Sequence, residues 1–228
     1  MLLGFWGNLG HKPGPFFEEH ANRVDQKLNS DAAAGPEGRS EELSLQDREF
    51  LKERDQDALA RFYDLYFDRV YGFVRRLVRE EHLAEDLTQD IFMHIHKSLP
   101  SYDPQRELRP WVFTIATNKV RDHWRSRRHR DAQREATALD DEGPVRAVSS
   151  NRGPDELLEA GEVSEAVSRA IEDLPEIMRT TLVLRYYEGL SFEAIGQMVD
   201  RSEIAIRKRY SRALEELRVR LSKAIDLN

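Results

Sequence analysis

The chain has no cysteine among its 228 residues. That excludes disulfides and thiolate-bound metal. It also has no long apolar run. The stretch Met1-Leu-Leu-Gly-Phe-Trp6 falls far short of the ~20 residues that cross a bilayer, and it lacks the basic start of a secretory signal. A cytoplasmic protein with no direct membrane insertion is therefore expected. The sequence contains no phosphate-binding glycine loop, no recognisable nucleophile–base motif and no His-Glu-x-x-His pattern, so no catalytic group, cofactor or metal site is expected. His94 and His96 stand two apart on a helix and point roughly 200° away from each other, which prevents them from sharing one ion.

Net positive charge is missing too: the formal value is −7. Its distribution matters more than its total. Met1 to Ala60 holds 7 basic and 12 acidic residues, and Arg61 to Arg130 holds 14 and 10. Asp131 to Met178 holds 4 and 13, and Arg179 to Asn228 holds 10 and 7. Each of the two positive segments thus follows an acidic one. A polyanion responds to the field within about 10 Å, so both positive segments remain candidates for nucleic acid.

What is present is helical periodicity. Residues 1–45, with their Gly-Pro and Pro-Gly pairs, read as a disordered extension with at most a short helix near Phe16 to Leu28. Asp47 to Val78 reads as a helix whose core stripe is Leu59, Phe62, Tyr63, Tyr66, Val70, Phe73 and Val74. Leu83 to Leu99 is a second helix, packed through Leu83, Leu87, Ile91 and Ile95. Its opposite side carries Asp86, Gln89, Asp90 and Met93, a surface suited to docking a partner. Pro110 opens a third helix. Val112, Phe113, Ala116, Val120 and Trp124 share its packed face, while Trp111, Ile115, Asn118, Asp122 and Arg125 share the other. Aromatic rings among cations suit unstacked bases and their phosphates.

Residues 131–154 read as an acidic linker containing Asp140-Asp-Glu-Gly-Pro144. Asp155 can cap a helix to Leu174, and Glu176 to Glu188 forms another, with Met178, Leu182, Val183 and Tyr186 inward and Gly189 at its C-terminal end. Ser191 to Tyr210 then has the pattern of a helix-turn-helix. A short helix is followed by a break at Asp200 to Ser202 and a longer helix capped by Ser202. Ile195, Val199 and Ile206 occupy burial positions, and small Gly196 marks the crossing. Ile206, Tyr210, Ala213, Leu217 and Leu221 line the inner face of the long helix. Ile204, Arg207, Lys208 and Ser211 face away, with the chemistry to read a major groove, and Arg212 flanks them for phosphate. The predicted fold class is all-α: two small helical domains, 46–130 and 155–228, joined by the linker.

Four stretches together resemble the extracytoplasmic-function sigma factors of bacterial RNA polymerase. They are Ala84-Glu-Asp-Leu-Thr-Gln-Asp-Ile-Phe92; Arg109-Pro-Trp-Val-Phe-Thr-Ile-Ala-Thr-Asn118 continuing to Arg128; Asp173-Leu-Pro-Glu-Ile-Met-Arg179 with Leu182 to Gly189; and the helix-turn-helix through Leu214. The resemblance implies that the stretch spanning Asp86, Gln89, Asp90 and Phe92 docks on a coiled coil of the largest subunit of core RNA polymerase, with Phe92 packing inward and Met93 joining the docking face from its place on the helix. It implies that Gln105, Arg106, Trp111, Asn118, Lys119, Arg125, Arg127 and Arg128 meet the minus-ten element of promoter DNA, the loop Pro104 to Leu108 capturing a flipped base. It implies that Arg201, Ser202, Glu203, Ile204, Arg207, Lys208, Ser211 and Arg212 meet the minus-thirty-five element. An anti-sigma factor is the expected inhibitor. Asp200 replaces the usual turn glycine, and Ile204-Ala205 replaces a frequent Gly-Thr pair, so the upstream sequence read is the chain's own. A conventional helix-turn-helix regulator that binds duplex DNA unaided is the alternative; it has no need of the aromatic and basic stretch Trp111 to Arg130.

Overall fold

A computed structural model describes residues 42–78, 80–137 and 159–225. The sequence expectations for Met1 to Trp6, for Phe16 to Leu28, for most of the acidic linker and for the Asp155 cap lie outside them. Among the described residues every regular element is helical: α1 (Leu45–Lys52), α2 (Gln56–Leu77), α3 (Glu81–Ser98), a 3₁₀ turn (Leu99–Ser101), α4 (Leu108–Thr137), α5 (Glu159–Glu172), α6 (Glu176–Tyr186), α7 (Phe192–Val199) and α8 (Glu203–Ile225).

The single helix expected from Asp47 to Val78 is broken in two. Asp55 is the reason, since its carboxylate accepts from the Asp57 and Ala58 amides and starts α2 afresh. N-capping by aspartate satisfies donors that a continuous helix would not expose. Arg54 takes up the turn at φ 62°, and its guanidinium donates to the His96 carbonyl at 3.3 Å. Ahead of the break, Ser44 caps α1 by accepting from the Asp47 amide. Leu43 is buried, so the ordered structure reaches into the last residues of the expected 1–45 extension. At the other end, α4 continues to Thr137, seven residues into the stretch read as linker. Nothing in Asp131 to Thr137 breaks a helix, and its glutamate, glutamine and alanines favour one.

The aromatic stripe of α2 is the heart of the first domain. Phe62, Tyr63, Tyr66, Phe67, Val70, Phe73 and Val74 are all buried, and Phe92 of α3 stacks on Phe67 at 5.6 Å. From α4, Val112, Phe113, Ala116 and Val120 complete this core. Trp124 packs against its edge while remaining half-buried.

In the second domain, α8 lies across α5, α6 and α7. Gly196 is required where α7 meets the turn, because a Cβ there would stand 2.5 Å from the Arg201 carbonyl oxygen. Asp200 adopts the left-handed conformation at φ 53°, which aspartate tolerates better than most residues with a Cβ. This accounts for a turn built without glycine at that position. Gly189 supplies a second left-handed residue, φ 67°, after α6. Tyr186, expected inward, is 40% exposed; its neighbour Tyr187 packs inward instead.

The two domains are packed together. One continuous apolar cluster runs from α2 and α4 into Val183, Leu184, Leu190, Ile195, Met198 and Ile206 of the second domain. Polar contacts cross the same seam. Arg69 donates to a Glu188 carboxylate oxygen from Nε at 3.2 Å and from Nη2 at 3.0 Å, with exposures of only 9% and 1%. Arg179 donates to the Leu77 carbonyl at 2.8 Å, and also to those of Glu172 and Leu174. The Arg76 guanidinium lies 3.9 Å from the Tyr187 ring centre.

Candidate nucleic-acid and polymerase interfaces

The face of α8 that the sequence assigns to DNA is open. Arg201, Ser202, Arg207, Lys208, Ser211 and Arg212 are exposed, and Ile204 is 67% exposed. Beneath them, Ile206 and Ala213 are fully buried, while Tyr210, Leu217, Leu221 and Val199 are half-buried. The helix is therefore anchored through one side and offered through the other. Ser202 caps its start by accepting from the Ala205 amide at 3.3 Å.

Two of the expected readers interact with each other. Arg207 donates to a Glu203 carboxylate oxygen from Nε at 2.8 Å and from Nη2 at 2.5 Å. The Arg207 guanidinium also lies 4.7 Å from the Phe192 ring centre, with Arg185 4.8 Å from the same ring. Glu203 is thus engaged in orienting Arg207, and a base would have to compete for its carboxylate. Phe192 is a support that the sequence reading missed; its place as the first residue of α7 gave no sign of the contact. Burial, with the Arg201 charge adding to it, lowers the Arg209 pKa from its ordinary value.

The surface of α4 is more constrained. Asn118, Arg125, Arg127 and Arg128 are exposed and Lys119 is half-buried. Arg125 pairs with Asp122 at 2.9 Å. Arg128 pairs at 2.6 Å with Glu176 of the second domain. Trp111 and Ile115, expected to face outward, are half-buried against the first-domain core. The Tyr102 ring covers Trp111 at 4.8 Å, inclined by 44°. A helical wheel sees only neighbours on the same helix, and Tyr102 arrives from the preceding loop.

That loop carries Gln105 and Arg106, both exposed. Asp103 organises it: its carboxylate accepts from the Gln105 amide at 3.1 Å, and its carbonyl accepts from the Arg106 amide at 3.0 Å. Arg109 follows the loop and pairs with Glu42 at 2.8 Å, while also donating to the Glu188 carbonyl at 3.5 Å.

On α3, Asp86 and Asp90 are exposed, and Gln89 and Met93 are half-buried. The four lie away from the buried stripe of Ala84, Leu87, Ile91 and Ile95. Burial pushes the pKa of His96 below the ordinary 6.5, and the Arg54 charge adds to this. His123 on α4 is likewise lowered, by burial first and then by Arg130 and Arg127. No helix among the described residues is long and apolar enough to cross a membrane.

An anchored basic helix after a tight turn, beside a second helical domain with its own basic helix, defines a DNA-binding protein of two modules. The sigma-70 region 2 family matches residues 62–130 and the sigma-70 region 4 family matches residues 170–219. The chain is 36% identical over 172 residues to the RNA polymerase sigma factor CarQ of Myxococcus xanthus, covering 75% of this chain and 92% of that one. It is 30% identical over 174 residues to the ECF RNA polymerase sigma factor SigW of Bacillus subtilis, with the same coverages. Among solved structures, the fold is similar to the sigma factor RpoE in complex with the anti-sigma factor NepR from Bartonella quintana. That match has a TM-score of 0.54 and 22% identity, and covers 72% of this chain and 96% of the other. It is also similar to CnrH in complex with the cytosolic domain of CnrY, with a TM-score of 0.55 and 21% identity, covering 81% and 97%. The chain belongs to the ECF sigma factors of RNA polymerase.

Proposed function

We propose that this sigma factor divides its work among three surfaces, each identified by its residues. Asp86, Gln89, Asp90 and Met93 on α3 dock core polymerase. Gln105 and Arg106 in the loop, with Asn118, Lys119, Arg125, Arg127 and Arg128 on α4, engage the minus-ten element. Arg201, Ser202, Ile204, Arg207, Lys208, Ser211 and Arg212 read the minus-thirty-five element, and Glu203 acts chiefly by orienting Arg207. The observation that carries this reading is the exposed basic face of α8, anchored by the buried Ile206 and Ala213.

The work is binding, with no bond made or broken by the chain. Separating DNA costs about 1.4 kcal/mol of stacking per step. Contacts to a few extruded bases and their phosphates offset a cost of that size, since stacking on protein rings contributes roughly 1–3 kcal/mol per base. Trp111 contributes indirectly while Tyr102 covers it.

Engaging a promoter requires the packed domains to part. The two elements lie about 25 base pairs apart, or about 85 Å at about 3.4 Å per pair. Here α8 packs on α7 and α7 packs on α4, which keeps the two DNA surfaces on adjoining layers of helices. The protein works in the cytoplasm, and an anti-sigma factor holds it inactive, as the partner named in the RpoE complex suggests.

The test is reconstituted initiation. Protein plus core enzyme initiates from a defined promoter that core enzyme alone ignores; equal initiation without the protein refutes the reading. Asp86→Ala with Gln89→Ala weakens core binding while helix content is unchanged.

A further inference from the structure

The loop between α3 and α4 is fixed by the buried ring at its own start and by one group that lies outside it. The Tyr102 hydroxyl donates to the Arg106 carbonyl oxygen at 2.6 Å. Arg48, on α1 and 58 positions earlier in the chain, donates from Nη1 to the same oxygen at 2.8 Å. A carbonyl oxygen has two lone pairs, and here each meets a donor. The Tyr102 ring is 1% exposed and lies against Trp111, so its hydroxyl cannot follow a moving loop. Within the loop, the turn closed by Asp103 holds the segment from the other end.

The consequence is geometric. With its carbonyl fastened inward by two donors, Arg106 has its backbone fixed while its side chain and that of Gln105 remain exposed. Two exposed side chains on a fastened backbone can discriminate between bases; on a loose loop the same side chains would accommodate several.

We propose that Arg48 and Tyr102 are positioning residues that set the base preference of the minus-ten element through the Arg106 carbonyl. The proposal rests on the reading of this loop as a DNA-contacting segment. It assigns a specificity role to α1, a helix outside the proposed DNA-contacting segments.

The test uses the full chain with core polymerase on a promoter library randomised across both elements, read by sequencing the transcripts. Tyr102→Phe keeps the ring on Trp111 and removes only the hydroxyl. Arg48→Ala removes the second donor, and Arg48→Lys restores a donor of shorter reach. Tyr102→Phe and Arg48→Ala each flatten preference at one or two adjacent minus-ten positions by about five- to tenfold, the loss expected for one hydrogen bond to a fixed group. Arg48→Lys recovers part of it. The double variant is no worse than the stronger single one, because both donors act on one oxygen. Preferences at the minus-thirty-five element stay unchanged. Gln105→Ala and Arg106→Ala flatten the same minus-ten positions. If Gln105→Ala changes the profile while Arg48→Ala and Tyr102→Phe only lower total output, the two are structural and the proposal fails alone. If Gln105→Ala and Arg106→Ala leave the profile intact, the loop does not read DNA, and the proposal falls together with the reading beneath it.

Discussion

The two basic helices of this protein, α4 and α8, face opposite circumstances. α8 is anchored along one side, and its other side is open: Ile204, Lys208 and Ser211 are exposed, and Arg207 is exposed while held by Glu203 and Phe192. α4 is packed against α2, α3 and α7, and the second domain already holds one of its arginines, Arg128, through Glu176. A duplex groove can accept a protruding helix as it stands. Opened DNA needs a surface assembled from a loop, a helix and a run of cations, and part of that surface is engaged with the second domain. On the proposed assignment, the packed arrangement leaves the upstream-reading face of α8 free and ties the minus-ten surface of α4 to the position of its partner domain.

The strongest way to break this contrast is at the seam. Glu188→Ala leaves Arg69 buried without a counter-charge, a loss of about 3–5 kcal/mol where one partner of a buried pair is removed. The expected result is separation of the domains, seen as a larger radius of gyration in X-ray scattering with helical circular dichroism retained. Arg69→Met combined with Glu188→Leu restores the packed form, since apolar groups of similar volume replace such pairs well. A particle that stays the same size on Glu188→Ala shows that the apolar seam alone holds the domains.

Gly196→Ala acts on the second domain, at the turn between α7 and α8. Its new Cβ meets the Arg201 carbonyl oxygen at 2.5 Å, an overpacking that costs roughly 1–3 kcal/mol. Upstream-element binding falls in proportion to unfolding of the second domain, while docking through α3 persists in a core-polymerase pull-down.

Arg207→Ala sharpens the contrast by its sequence dependence. It weakens binding by about 1–3 kcal/mol at one upstream position and relaxes choice there. Arg128→Ala on α4 instead weakens binding evenly across sequences and lowers the salt slope by about 1. Reversal of those two signatures in binding titrations overturns the assignment of base reader and phosphate contact.

Acidification is the mildest perturbation, and it falls on the first domain. His96 and His123 both have pKa values held below the ordinary 6.5 by burial. Below that value the unfolded chain binds more protons than the folded one at these positions, so their contribution to stability falls as pH drops from about 6.5 toward their folded values. Thermal unfolding followed between pH 7.5 and 5.5 should show the decline. His96→Gln with His123→Gln should reduce it.

Much of this architecture was legible in local spacing. The stripe from Leu59 to Val74, the α3 stripe and the inner face of α8 all follow from burial at intervals of three and four residues. The helix-turn-helix was equally plain, because Ser191, Gly196, Asp200 and Ser202 are turn and cap residues at fixed offsets within a dozen positions. Where the reading erred, a competing local signal or a distant neighbour decided. Asp55 capped a helix inside a run that periodicity made continuous. Trp111 lay on the outer arc of its wheel and was covered by Tyr102, which the wheel does not contain. Tyr186 yielded the inward position to Tyr187.

The sequence by itself determined the helices, their packed faces and the kind of surface each could offer, because side-chain direction along a helix is fixed by backbone geometry. Only the tertiary structure decided which of those surfaces are free. Arg69 and Glu188 are 119 positions apart, and Arg48 and Arg106 are 58 apart. Such pairings depend on how whole helices stack, a choice made by the sum of many apolar contacts, and no local spacing records it.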